Sequence, residues 1–276
     1  MDRFFFERGS SPLLISIPHD GRDLTPGMEE RMSEAGKSLP DTDWHVRKLY
    51  EFSSQLGANV LAARFSRYVT DLNRPSSGTD LYEGQLSTGL CPSKTFDCED
   101  VYTHGNTCEA LEQEQRTQAY WQPYHDLLDT ELKRISQQFG YALLWDAHSI
   151  RSEVPGLFNG VLPDMNIGTN DGASCGSHLQ SAVHKVAKKS NYSVVLNERF
   201  KGGYITRNYG NPDDNVHAIQ LELAQRSYMD EKTLCYDEES ATRLSDTLLA
   251  MLSELISNAQ LTSKKIGRKV SQSKSA

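Results

Sequence analysis

A chain of 276 residues, 37% apolar and 24% charged, has the make-up of one large α/β domain or two small ones. Its formal charge of −8 argues against general binding to nucleic acid. No apolar run approaches the roughly 20 residues of a membrane-crossing helix, and Met1-Asp2-Arg3-Phe4-Phe5-Phe6 is too short for a secretory leader.

Leu13–Ile17 is the first apolar run and predicts a strand. It closes in Pro18-His19-Asp20-Gly21, which places a histidine in the following turn. Asp41 or Thr42 then reads as the N-cap of a helix carrying Trp44, Leu49, Phe52 and Leu56 on one flank, with Gly57 ending it. Asn59–Ala63 and residues 68–71 read as strands. Residues 73–106 are rich in Gly, Pro, Ser, Thr and Cys, and a loop that long inside a domain is usually functional. The five cysteines include no C-x-x-C pair and no common zinc spacing, so they read as free thiols in a cytoplasmic protein.

A helix follows over 110–139, with Tyr124, Leu127, Leu128, Ile135 and Phe139 at three-four spacing and a kink at Pro123. Residues 141–145 form an apolar run that ends in Asp146-Ala147-His148-Ser149, where α/β sheets expose their ligands. Residues 152–174 read as a loop, 177–189 as a helix, 193–197 as a strand and 200–211 as a glycine-bearing loop. A strand over 217–223 and a helix over 239–256 complete the order. Strands alternating with helices argue for a mostly parallel sheet covered on both faces. The tail from 259 to 276 is basic, with Lys264, Lys265, Arg268, Lys269 and Lys274, and its composition reads as a disordered extension.

Polar residues therefore gather at strand ends. His19, Asp43 (or its neighbour Asp41) and His148 make a three-donor set that leaves a fourth position open, as catalytic zinc requires. Each also has a plain structural use: His19 in closing a turn, Asp43 at a helix N-terminus, Asp146-x-His148 in satisfying turn hydrogen bonds. Glu222, in a half-apolar strand, either pairs with a buried cation or acts as a general base with a raised pKa. Arg74, Arg151 and Arg207 lie just after strands or in a glycine-bearing loop, and suit either carboxylate binding or surface ion pairs.

Several separated segments carry a resemblance. They are I-P-H-D-G at 17–21, D-T-D-W-H-V-R-K-L-Y at 41–50, S-R-Y-V-T-D-L-N-R-P at 66–75 and T-G-L-C-P at 88–92. W-D-A-H-S-I-R-S at 145–152, L-P-D-M-N-I-G-T at 162–169, F-K-G-G-Y-I-T-R at 200–207 and Q-L-E-L at 220–223 follow in order. Over nearly all of 11–236 the chain resembles the N-formylglutamate amidohydrolase (N-formylglutamate deformylase) family.

The resemblance implies one α/β domain over 1–258, with a mixed, mostly parallel sheet flanked by helices, of the zinc carboxypeptidase and aspartoacylase kind. It implies hydrolysis of N-formyl-L-glutamate to formate and L-glutamate, the last step of a histidine degradation route. A divalent ion is expected, zinc first, with cobalt, manganese or iron also suited to such donors. His19 and His148 match the metal-binding histidines; the acidic ligand falls at Asp43, with Asp41 as the alternative, because the usual His-x-x-Glu spacing is absent. Asn73 and Arg74 match a clamp for the α-carboxylate, Arg207 and Arg151 are assigned to the second carboxylate or the oxyanion, and Glu222 matches the general base. The partner is then a small dicarboxylate, with no nucleic acid or membrane, and the protein a monomer or small homo-oligomer. A deacylase or peptidase for another N-acyl amino acid, and a non-catalytic binding protein, are the alternatives.

Overall fold

The computed structural model describes residues 2–79 and 88–273, with side chains to residue 261. Its frame is a seven-stranded mixed sheet. Strands β1 (Phe4–Glu7), β2 (Leu13–Ile17), β3 (Asn59–Ala63), β4 (Ala142–Ile150), β5 (Met165–Gly168), β6 (Val194–Leu196) and β7 (Val216–Ala224) lie in the order β1-β3-β2-β4-β7-β5-β6. The pairs β1–β3 and β5–β7 are antiparallel, and β2–β3, β2–β4, β4–β7 and β5–β6 are parallel. From β2 the chain crosses to β3 on one side, whereas β4 is flanked on the other by β7. That reversal opens a crevice beyond the carboxyl ends of β2 and β4, where ligands of open α/β sheets bind.

The helical segments are α1 (Glu34–Lys37), α2 (Val46–Leu49), α3 (Ala110–Arg116), α4 (Gln122–Phe139), α5 (Ser177–Ala187), α6 (Tyr204–Tyr209) and α7 (Glu238–Ser273). Successive residues of a strand face opposite sides, so each central strand serves two cores. On one side Leu13, Ile15, Leu143, Trp145 and Ile219 meet α5 and α7 through Leu179, Val183, Leu244, Leu248 and Leu252. On the other Leu14, Leu61, Leu144 and Ala218 meet α4 through Tyr124, Leu128, Leu132 and Ile135. Each fully buried leucine on these faces contributes about 2 kcal/mol from its removal from water. Strands buried on both faces need near-continuous apolar sequence, which is why β2 was legible.

The structure departs from the sequence reading at several places. β4 does not stop at residue 145 but runs to Ile150, because β7 pairs with it from Ala142↔Val216 to Ile150↔Ala224. Residues 68–71 are a turn, not a strand: Arg67 and Asp71 close it with an ion pair at 2.6 Å, and Val69 N–H donates to the Ser66 carbonyl. The expected helix from Asp41 or Thr42 begins only at Val46, after His45 takes a left-handed φ of 64°, and continues as a 3-10 turn over Glu51–Leu56. The expected loop 152–174 contains β5, and the expected loop 200–211 contains α6.

The helix over 110–139 is interrupted as Pro123 required. A π-helical turn, Thr117–Trp121, joins α3 to α4 and leaves Pro123 in the first turn of α4. The N-terminal phenylalanines, unassigned from sequence, form the edge strand β1. The last helix, expected to end at residue 256, continues in the backbone to Ser273, into the stretch expected to be a disordered arm. That arm's basic side chains, and part of the cysteine-bearing loop, lie outside the described residues. Among the described residues no helix is long and apolar enough to cross a membrane.

Candidate active site

The crevice at the β2–β4 switch collects the three predicted donors. His19 follows the last residues of β2, His148 is the seventh residue of β4, and Asp43 is drawn beneath them by its N–H donating to the His19 carbonyl at 3.1 Å. One donor atom from each lies within 4.8 Å of the others, and all three side chains are buried. His148 Nδ1 is 3.0 Å and His19 Nδ1 3.8 Å from Asp43 Oδ2. Both imidazoles thus turn the same nitrogen toward one point.

Their far nitrogens face other carboxylates. His19 Nε2 lies 2.7 Å from Asp71 Oδ1, and His148 Nε2 lies 3.2 Å from Asp146 Oδ1. Metal-ligating histidines are oriented in this way, by a carboxylate on the nitrogen away from the ion. Asp41 is turned elsewhere: its Oδ2 accepts from Tyr68 OH at 2.7 Å and from Phe96 N–H at 2.9 Å. The geometry therefore groups Asp43, not Asp41, with the histidines.

The charges also fit a cation. Asp43, Asp71, Asp146 and Glu222 are all buried here, facing the buried guanidinium of Arg67. Arg67 donates to Asp71 Oδ2 at 2.6 Å and stands 3.8 Å from Asp43 Oδ1. Burial and Arg67 together lower the pKa of His19, which suits a neutral ligand. Burial alone would lower His148 too, but Asp146 and Asp43 outweigh it and hold that imidazole well above its ordinary value. An imidazolium between two carboxylates marks a place where positive charge is strongly favoured, and a divalent ion satisfies the same demand. The donor set of two imidazoles and a carboxylate with an open side fits such an ion.

Glu222 stands across from His148 in the β4–β7 register, and Gln220 across from Asp146. The two-residue repeat of a strand puts all four on one face, toward the pocket. Burial, with Asp43 and Asp146 adding to it against His148 and Arg67, pushes the Glu222 carboxyl up to about 8. Gln220 Nε2 donates to Glu222 Oε2 at 3.4 Å.

Asn73 and Arg74 line the same pocket. Asn73 is fully engaged: its Oδ1 accepts from Ile205 N–H at 2.7 Å and its Nδ2 is 2.9 Å from His148 Nε2. The backbone carrying this pair is pinned from α3, the π turn and α4. Arg116 donates to the Tyr68 and Val69 carbonyls, His125 Nε2 to the Leu72 carbonyl at 2.9 Å, and Trp121 Nε1 to the Arg74 carbonyl at 2.9 Å. The π turn re-aims the helix so that all three side chains reach one loop.

His125 gives this support a pH signature. Burial holds its pKa down at about 4, against 6.5 for a free imidazole. The stability this contributes is complete above pH 6.5 and is lost as the pH falls toward 4, about 3 kcal/mol in all. His125→Gln keeps a donor and an acceptor without the titration, so its urea midpoint is expected to fall less than wild type over that window. Equal slopes in the two proteins would contradict this reading.

Arg151 and Arg207 lie elsewhere. Arg151 pairs with Asp97 at 2.7 Å, and Arg207 Nε donates to the Gly202 carbonyl at 2.7 Å; the described residues lining the pocket beside His19, Asp43 and His148 include neither. Sequence reasoning left Arg67, Gln220 and Arg199 unassigned, although all three line it. Asp71 and Asp146 carry no assigned role in the sequence reading. The Asp146-x-His148 spacing carried the missing signal, since a two-residue step on a strand stacks both groups on one face.

A family described as N-formylglutamate amidohydrolase matches residues 11–229, a span that contains every site residue named above. The chain belongs to the N-formylglutamate amidohydrolase family. A protein of Pseudomonas aeruginosa named N-formylglutamate deformylase is 53% identical over 228 residues, covering 82% of this chain and 85% of that protein. A protein of the same name from Pseudomonas putida is 48% identical over 253 residues, covering 91% of this chain and 94% of that one. Among solved structures, the N-formylglutamate amidohydrolase of Ralstonia eutropha JMP134 aligns with a TM-score of 0.76 at 22% identity, over 98% of this chain and 100% of that one. At that identity the family member from Ralstonia eutropha speaks for the fold: a single mixed-sheet α/β domain, as expected from sequence.

Proposed function

We propose that this protein hydrolyses N-formyl-L-glutamate to formate and L-glutamate with a divalent metal ion, zinc first. The observation that carries the reading is the meeting of His19, Asp43 and His148 at one point beside Glu222, in a chain of this family. When bound, the ion would supply Lewis acidity, easing the ionisation of water and polarising the formyl carbonyl. His19, Asp43 and His148 would hold it, with Asp71 and Asp146 fixing the two imidazoles.

Glu222 takes a proton from the attacking water and returns it to the departing amine as the C–N bond breaks, leaving formate and a free amino group. Asn73 caps the N-terminal turn of α6 and backs His148, while Arg74 beside it grips the substrate's α-carboxylate. A net charge of −8 repels a dicarboxylate at long range, so local guanidinium groups must offset it. The reading places the protein in the cytoplasm.

The test is formate release from N-formyl-L-glutamate, with N-formyl-L-aspartate and N-acetyl-L-glutamate alongside. Turnover preferring the formyl-glutamyl compound is expected. Turnover confined to the other two would move the protein to the broader class of N-acyl amino acid hydrolases.

A further inference from the structure

Among the described residues three guanidinium groups line the pocket: Arg67, Arg74 and Arg199. Arg67 is committed behind the donor group, bound to Asp71 and close to Asp43. Arg74 and Arg199 come from different segments of the chain, one after the turn that follows β3 and the other after β6. If one takes the α-carboxylate, the second is placed for another anionic group on the same molecule.

The segment carrying Arg199 is fixed by close backbone contacts. Gly168, at the end of β5, lies so near residues 200–202 that a Cβ there would come within 2.8 Å of the Phe200 carbonyl oxygen. Asn170 N–H donates to the Lys201 carbonyl at 2.5 Å, and Gly203 N–H to Gln220 Oε1 at 2.6 Å. A Cβ on Gly203 would collide with the Asn73 side chain at 2.4 Å. Glycines at 168 and 203 are thus required for the loop to pass this close to the sheet ends. Arg199 and Phe200, just before these anchor points, are thereby held at the pocket wall.

Apolar side chains also line the pocket. The Arg199 guanidinium carbon lies 5.6 Å from the centre of the Phe200 ring, and Phe96, Ile150 and Leu157 complete the lining near it. A guanidinium against apolar surface binds a carboxylate more strongly than one in open water, and can do so through two parallel hydrogen bonds.

We infer that Arg199 receives the side-chain carboxylate of the glutamyl substrate and sets the preference for an acidic over a neutral side chain. This rests on the deformylase reading and deepens it. The role assigned from sequence to Arg151 and Arg207 passes to Arg199, because those two lie outside the pocket lining.

The experiment compares N-formyl-L-glutamate with N-formyl-L-glutamine, a near-isostere without the charge, on the metal-loaded protein. Arg199→Met is expected to raise KM for the glutamate compound roughly 10- to 100-fold, the weight of a charged hydrogen-bonded pair, with kcat little changed. The glutamine compound is expected to lose far less, so the preference collapses, and Arg199→Lys restores part of it. Equal loss on both substrates, an unchanged preference, or a selective loss in Arg151→Gln or Arg207→Gln instead would overturn the assignment while leaving the deformylase reading intact. No formate from either compound with wild-type protein would overturn both.

Discussion

Glu222→Gln is expected to lower kcat for formate release by roughly 100- to 10,000-fold, the range for loss of a positioned general base. The substitution keeps the shape of the side chain and the contact with Gln220, so KM and folding should change little. Its force comes from position: Glu222 is the β7 partner of His148, buried, and the carboxyl whose proton affinity burial raises to about 8. A divalent cation held beside it would favour the ionised form, which a base needs near neutral pH. Single-turnover formate release measures the effect directly. Near-normal turnover in Glu222→Gln would assign proton transfer to another group.

Loss of a metal donor should be more severe still. His148→Ala removes one of the three donors and leaves Asp43 and Asp146, both buried, without the imidazole between them. Dialysed protein is expected to retain no stoichiometric ion, and formate release to fall to background. Because uncompensated buried carboxylates also threaten folding, Asp146→Asn provides the milder case. It keeps the size of the side chain and removes the charge beside His148, and is expected to weaken metal affinity roughly 10- to 100-fold. A His148→Ala protein that folds, keeps one ion per chain and still turns over would remove His148 from the centre.

The central strands and the three donors were legible for a physical reason. β2, β4 and β7 are buried on both faces, so their sequences read as apolar runs, and the residues that break those runs mark the functional rim. Asp43 could not be separated from Asp41 in sequence because both precede the same helix. Only their partners separate them: Tyr68 and Phe96 for Asp41, His148 and Ser149 for Asp43.

Two of the errors share a cause, a long-range partner replacing a local signal. The start of α2 was misplaced because its cap is not a neighbouring residue. Asp20, in the turn after β2, accepts from His45 N–H at 3.1 Å and Arg47 N–H at 3.2 Å. α6 was missed for the same reason, since Asn73 caps it from 132 residues away. Helix ends without local caps carry no local signature. Both caps tie a helix start to the site, so the features hidden from local reading are also the ones that hold the functional loops together. β5 was hidden differently: Met-Asn-Ile-Gly is too short and too mixed to declare a strand until β6 and β7 flank it.

The most direct measurement is formate release from N-formyl-L-glutamate by the purified protein before chelation, after chelation, and after returning zinc, cobalt, manganese or iron singly. The predicted result is activity that disappears with the chelator, returns with a stoichiometric divalent ion, and stays absent in His148→Ala at the same ion concentration. Full activity in protein shown to hold no metal would contradict it, and would leave His19, Asp43 and His148 as a buried hydrogen-bonded network whose charges serve the fold.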